Sequence, residues 1–312
     1  DRFGRYPEGM WLPEMAVDRE TLAVLADHGI AYTILSPHQG CLPRSSSDDI
    51  PVPGQGIDTT SPYFCRLPGE SEIAIFFHDA SIGLQVAFGD LLENGDRFAD
   101  RLISASPGGD LVHFATDGET FGHHHRFGEM ALAWCLDRLD TSAPDSLTVY
   151  GEYLAEHPPE HEAEIIGCTS WSCPHGISRW HEGCSCDSGR HEGWSHEWRG
   201  PLRTAIRDLS SVLHDIYSRE AALLFSDPGV ARDASVRLFK TRSEGYVAAF
   251  FRDHAIRPLS REEQDRALAL LELSRQILAM QTSCAWFFDD IADREAVQAL
   301  RFAARALQIA GD

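Results

Sequence analysis

The sequence predicts an α/β fold built on a parallel sheet and followed by an all-helical region. Three observations predict it. Short apolar runs alternate with helical stretches over residues 1–158, most of those runs end in His, Asp or Glu, and from residue 201 apolar residues recur at spacings of three and four. Such alternation implies parallel strands, in an open sheet or a barrel, with polar strand ends gathered on one rim.

Taken in order, Gly9-Met-Trp-Leu-Pro-Glu14 is an apolar run that ends in a carboxylate. Asp18 is placed to cap a helix over 19–28 that carries Leu22 and Leu25 and stops at Gly29. Ala31-Tyr-Thr-Ile-Leu35 follows as a strand and ends in Ser36-Pro-His-Gln39, which puts His38 and Gln39 on the same rim as Glu14. Residues 40–71 are rich in Pro, Gly, Ser and Asp and read as a long excursion with a short hairpin around Tyr63 to Arg66. Glu72-Ile-Ala-Ile-Phe-Phe77 is the next strand and ends in His78-Asp79. An amphipathic stretch with Leu84, Ala87, Phe88 and Leu91 comes after it, and Asp96 is placed to cap a helix bearing Phe98, Leu102 and Ile103.

Leu111 to Ala115 reads as a buried strand leading into the loop Asp117-Gly-Glu119-Thr-Phe-Gly-His-His-His125, with a helix from Gly128 to Leu139. Leu147-Thr-Val-Tyr150 is the last expected strand. Five strands are too few to close a barrel, so a barrel would need strands upstream of Asp1. Residues 159–200 form a segment crowded with Cys, His, Trp and Gly; residues 201–312 form the helical region, with helices expected at 201–224, 229–252, 260–282 and after Asp293.

Composition excludes several function classes. The chain of 312 residues carries 48 acidic against 27 basic residues, a net charge of −21, which opposes an extended nucleic-acid contact. No run of about eighteen apolar residues and no signal-peptide pattern is present, so a cytoplasmic protein without a membrane span is expected. Nothing in the pattern signals an oligomeric state. Eight cysteines in a chain this long do not suggest a disulfide framework, and four of them cluster with histidines, which points to metal or reduced thiols.

Three stretches, Trp11-Leu-Pro-Glu14, Asp117-Gly-Glu119-Thr-Phe-Gly-His123 and Thr282-Ser-Cys-Ala-Trp-Phe-Phe-Asp-Asp290, occur in the order in which glycoside hydrolase family 57 carries its motifs. The chain resembles that family of retaining enzymes acting on α-glucans, in particular a branch with the same Trp171-Ser-Cys-Pro-His-Gly176 segment. The resemblance implies a partial seven-stranded (β/α) barrel followed by a helical region, Glu14 as nucleophile and Asp117 as general acid/base. It also implies that Trp286 and Asp289 contribute to the substrate cleft. The family's His-Gln-Pro motif has no counterpart in the chain, which begins downstream of it. The third motif reads Ser-Cys-Ala-Trp-Phe where branching enzymes have Ser-Asp-Trp-Pro, which leaves hydrolysis, branching and disproportionation open.

Glycosidic cleavage needs one carboxylate at the anomeric carbon and one carboxylic acid to protonate the leaving oxygen. Glu14 and Asp117 supply this pair, and Glu119 is placed to raise Asp117 or to bind a sugar hydroxyl. Trp11 and Trp286 offer flat faces for sugar rings, and His38, His78, Asp79 and His123 offer hydrogen bonds. The expected substrate is an α-glucan or maltooligosaccharide. A rival reading joins His123, His124 and His125 with Asp117, Glu119 and His78-Asp79 in a catalytic metal site, as in a metal-dependent polysaccharide deacetylase. A third is a catalytically silent glucan-binding protein. Separately, Cys173, His175, Cys184 and Cys186 form a C-x-H, C-x-C set for a structural zinc, with Cys168 and His181 as substitute ligands.

Overall fold

A computed structural model describes residues 3–43, 52–106, 108, 110–189, 193–239, 241 and 243–311. Residues 44–51 of the expected excursion and 190–192 of the Cys/His-rich segment therefore lie outside the described residues. The chain divides into two compact units, an α/β unit Asp1–Ile177 and a helical unit Ser178–Asp312.

The first unit is organised on a five-stranded sheet. Its strands are β1 (Gly9–Met10), β2 (Tyr32–Leu35), β4 (Tyr63–Arg66), β5 (Glu72–Phe77) and β6 (His161–Glu162), in the order β1-β2-β5-β4-β6. β1, β2 and β5 run parallel, with Gly9 opposite Tyr32 and Leu35 opposite Phe77. Where a short hairpin is expected around Tyr63 to Arg66, β4 is a single strand that pairs antiparallel with β5, and β6 pairs parallel with β4. A separate antiparallel pair joins β3 (Gly40–Cys41) to β7 (Glu164–Ile165). β5 is apolar on successive residues and is buried from Ile73 to Phe77, as a central strand covered on both faces should be.

Helix α1 (Arg19–Asp27) starts as expected: the Asp18 carboxylate accepts from Thr21 N at 2.7 Å, and Gly29 closes the end at φ 75°. Leu22 and Leu25 of α1 join Leu12, Met15, Leu35, Ile73, Ile75 and Phe77 in one core. A second core forms between α2 (Ala80–Phe88), α3 (Gly95–Ala105) and α4 (Gly128–Ser142), around Ile82, Val86, Phe98, Cys135 and Leu139. The cap of α3 is Asn94, whose Oδ1 accepts from Asp96 N and Arg97 N, so the expectation of Asp96 in that role is corrected by two residues.

Two expected strands are not strands. Leu111–Ala115 runs without a ladder; its tie to the sheet is the bond from Asp79 N to His113 O, 2.8 Å, beyond the end of β5. Leu147–Val149 is likewise unpaired, and Tyr150 opens the helix α5 (Tyr150–Glu156) instead. The reason is aromatic capture: the Tyr150 ring lies 4.9 Å from Phe76 and 5.4 Å from His113. His113 Nε2 donates to Thr59 O and its Nδ1 accepts from Tyr150 OH, both at 3.0 Å. Burial lowers His113 to about 4, which keeps the ring neutral and suited to that split.

The helical unit is built from α6 (Arg199–Ala221), α7 (Pro228–Ala234), α8 (Glu244–His254), α9 (Arg261–Ala279) and α10 (Arg294–Gly311). The helix expected over 229–252 is thus two helices: Asp227 caps the first, and an extended Ser243 restarts the second. α6 buries Leu202, Ile206, Leu213 and Tyr217, α9 buries Leu270, Leu271, Leu273 and Ile277, and α10 meets them with Ala296, Ala299, Ala303 and Ala306. Small residues at that spacing let helix backbones approach closely.

Gly83 of α2 ties this architecture to the loop that follows Ala115. A Cβ there would lie 2.7 Å from the Ala115 carbonyl oxygen, a backbone atom with little room to yield. Alanine gains about 1 kcal/mol over glycine in a helix, whereas overpacking costs about 1–3 kcal/mol. Gly83→Ala is therefore expected to lower stability, read as a reduced urea midpoint with an unchanged slope.

Candidate active site

Glu14 sits in a tight 3₁₀ turn, Pro13–Met15, directly after β1. Its backbone is left-handed at φ 58°, as is that of Met15 at φ 46°. Such geometry is costly for residues with a Cβ, so the turn must be held from outside. It is held by the strap Thr169–Ser172. Val17 N donates to Thr169 O (3.1 Å), Trp171 N donates to Glu14 O (3.1 Å), and Ser172 Oγ donates to Glu14 Oε2 at 2.6 Å. The buried Gln39 adds a further tie: its Nε2 donates to Met15 O at 2.7 Å while its Oε1 accepts from Ser36 N.

The rim residues divide by what already occupies them. His38 is fully engaged, Nε2 donating to Ser170 O and Nδ1 accepting from Ser36 Oγ, so it braces the strap. Asp79 caps α2 through Ile82 N, 3.0 Å. His78 differs: it is 4% exposed, neither ring nitrogen has a hydrogen-bond partner among the described residues, and its ring stands edge-on to Trp171 at 6.2 Å. Burial lowers its pKa, which leaves a neutral imidazole. Trp11 is exposed and also meets Trp171 edge-on, at 5.3 Å.

Asp117 is exposed at the head of a short turn, Gly118–Thr120, stabilised by the bond between Thr116 Oγ1 and Thr120 Oγ1. Water displaced by the surrounding protein raises its carboxyl above the ordinary value, Glu119 raises it further, and His124 opposes the rise. The three histidines do not converge. His125 Nε2 donates to Ala87 O at 2.8 Å, while His123 and His124 are exposed and meet edge-on, with ring centres 5.0 Å apart. Among the described residues, this loop forms no group of three or more metal-donor side chains.

Two expected substrate contacts in the helical unit are corrected. Trp286 is fully buried; its Nε1 donates to Arg199 O and the Arg203 guanidinium covers its ring at 3.7 Å. Asp289 is 1% exposed and is bound by Ser188 N (2.7 Å), Ser188 Oγ (2.6 Å) and His196 Nε2 (3.3 Å). Both are structural residues of a buried polar network. The indole and carboxylate had the right chemistry for sugar, but only tertiary context shows that protein groups saturate them.

Of the expected metal set, Cys173, His175, Cys184 and Cys186 have ligand atoms that all lie within 4.8 Å of one another. Cys168 and His181 stand outside the group: Cys168 is exposed, and His181 Nδ1 pairs with Glu182 at 2.7 Å. Sequence reasoning missed Ser172 and Thr169, whose bonds span more than a hundred residues and leave no local signal.

The glycosyl hydrolase family 57 model matches residues 1–165, and the model of a domain of unknown function (DUF3536) matches residues 194–312. No curated protein sequence matches the chain. Among solved structures, an exo-type maltose-forming amylase from Pyrococcus sp. ST04 is similar at 15% identity and a TM-score of 0.71, covering 96% of this chain and 55% of its own. A 4-alpha-glucanotransferase from Thermococcus litoralis (15% identity, TM-score 0.53) covers 98% of this chain and 43% of its own. A family 57 branching enzyme from Thermococcus kodakaraensis (17% identity, TM-score 0.52) covers 99% and 58%. These likenesses show an α/β fold with a helical region, and this chain spans about half the length of those proteins.

The Asp289 network makes a testable statement about pH. Burial alone would raise this carboxyl, but the hydrogen bonds from Ser188 and His196 outweigh it and hold the group at about 2, against 3.8 for a free aspartate. A carboxylate depressed in the folded state stabilises fully above its unfolded pKa, and the contribution fades as pH falls through the folded pKa. Asp289→Asn is expected to cost roughly 2 kcal/mol at neutral pH, measured by urea unfolding, with that difference shrinking between pH 4 and pH 2.

Proposed function

Because the chain belongs to glycosyl hydrolase family 57, we propose that it cleaves α-glucans or maltooligosaccharides by a retaining mechanism, with Glu14 as nucleophile and Asp117 as general acid/base. The observation that carries this reading is the contrast between the two carboxyl groups. Ser172 orients the Glu14 carboxylate on a turn fixed at both backbone and side chain. Asp117 is pushed towards its protonated form by lost hydration and by Glu119. A nucleophile and an acid need those opposite environments. The similar structures, an amylase, a glucanotransferase and a branching enzyme, favour an α-glucan as substrate.

In the reaction, Glu14 attacks the anomeric carbon while Asp117 protonates the leaving oxygen. Asp117, now a carboxylate, then takes the proton from water or from a sugar hydroxyl that displaces Glu14. Trp11 and Trp171 form an aromatic wall beside Glu14, and the neutral His78 supplies a donor and an acceptor against that wall. Retention requires the two carboxyl groups to work at about 5–5.5 Å. We read the parallel strands β1, β2 and β5 as part of a (β/α) barrel whose strand ends carry this chemistry. We also infer a cytoplasmic setting, where the eight cysteines of the chain stay reduced.

Product analysis on maltoheptaose with the full-length protein tests the assignment. Glu14→Gln and Asp117→Asn should each reduce turnover by about 10²–10⁴-fold, and the first product should keep the α configuration by NMR. Turnover that survives Glu14→Gln, or an inverted product, refutes it. The acid must be protonated, so activity falls as pH rises through the Asp117 pKa. Glu119→Gln removes a charge that raises this pKa and should move the alkaline limb of the pH profile to lower pH.

A further inference from the structure

The Cys173–Cys186 loop contains a constellation that glycoside cleavage does not use. The sulfur atoms of Cys173, Cys184 and Cys186 and a ring nitrogen of His175 all lie within 4.8 Å of one another. From these donors we propose that the loop binds one zinc ion in a closed, structural Cys₃His site.

The donor chemistry and the spacing both favour this ion. Three thiolates and an imidazole are a common structural zinc set, and bonds of about 2.3 Å to sulfur place tetrahedral ligands about 3.8 Å apart. The observed separations exceed that by no more than about 1 Å, which side-chain rotation can close. Cys173 is buried and Cys184 and Cys186 are half-buried, so the sulfur side faces protein. Cys173 Sγ is 3.9 Å from His175 Nδ1, within the range of a first coordination shell before contraction.

The backbone around the donors is shaped for tight turns. Gly176, directly after His175, has φ 67°, and a Cβ there would lie 2.3 Å from the Cys168 carbonyl oxygen. Gly183, directly before Cys184, has φ 98°. Ser170 Oγ donates to Gly176 O, fixing the first turn. Arg199 fixes the second: it is wholly buried, and its Nη1 donates to the carbonyls of Cys184 (3.2 Å) and Cys186 (2.8 Å). The same nitrogen stands 3.9 Å from Cys184 Sγ. Zinc with three thiolates carries a net negative charge, and this guanidinium is placed to offset it and to orient a ligand from the outer shell.

The test uses the full-length protein purified in reductant. Elemental analysis after dialysis should find about one zinc per chain. Exchange with Co²⁺ alone should give a thiolate-to-cobalt charge-transfer band and the intense visible bands of a tetrahedral ion. Cys186→Ser should remove the metal and the bands, whereas Cys168→Ser should keep both. Should Cys186→Ser fail to fold, thiol labelling of the wild type decides. Exposed Cys168 and Cys284 should react at once, and Cys173, Cys184 and Cys186 only after a chelator is added. No metal retained after Zn²⁺ loading, the same labelling with and without chelator, a disulfide among these cysteines, or iron in place of zinc would each overturn the proposal.

Discussion

The polar rim of the α/β unit depends on one short strap laid across one turn. Without the bonds that Thr169, Trp171 and Ser172 make to Val17 and Glu14, the left-handed backbone at Glu14 and Met15 would relax. The cores beneath do not supply this restraint, since burial of Met15 fixes where the turn lies and not how its carboxylate points. Directional hydrogen bonds do that, and Gln39 and His38 extend them into a small network whose members satisfy one another. The same network separates the rim histidines: His38 braces the strap, and neither ring nitrogen of His78 has a hydrogen-bond partner among the described residues.

Much of the fold was legible because its signals are local. The Asp18 cap, the Gly29 stop and the β2 and β5 strands are each written within a few residues. What escaped sequence reasoning is non-local. Leu111–Ala115 has strand composition but no neighbour to complete a ladder, and Tyr150 is drawn into a ring cluster by Phe76 and His113, residues far away in the chain. The Asp117-Gly-Glu119 pair was legible as two carboxyls close in sequence, and burial first, then Glu119, raises the Asp117 carboxyl. Trp286 and Asp289 misled because side-chain type says what a group can bind, and only packing says what it already binds.

Buried charge in the helical unit follows a consistent logic. Arg199 is enclosed with carbonyl groups of Cys184, Cys186, Phe287 and Phe288 as its hydrogen-bond acceptors, and burial lowers its pKa. Five fixed donors in a plane can serve several carbonyls at once, which a lysine ammonium cannot. The arrangement organises irregular backbone, and it gives the loop before α6 and the segment between α9 and α10 a common anchor. Asp289 plays the complementary part with Ser188 and His196, a carboxylate kept ionised by the hydrogen bonds it accepts from them.

The left-handed backbone at Glu14 carries a consequence for how this chain can change. Glycine or asparagine would occupy φ 58° with less strain, so the substitutions that most ease the turn are ones that discard its carboxylate. With the nucleophile's role proposed for Glu14, stability and chemistry pull in opposite directions at this position. A sequence drifting under folding pressure alone would slide towards the easier residue, while the strap, built from backbone amides at Val17 and Trp171, would persist almost unaltered around it. The scaffold would thus outlive the carboxylate it holds, leaving a chain that folds more readily and lacks the group on which the proposed reaction depends.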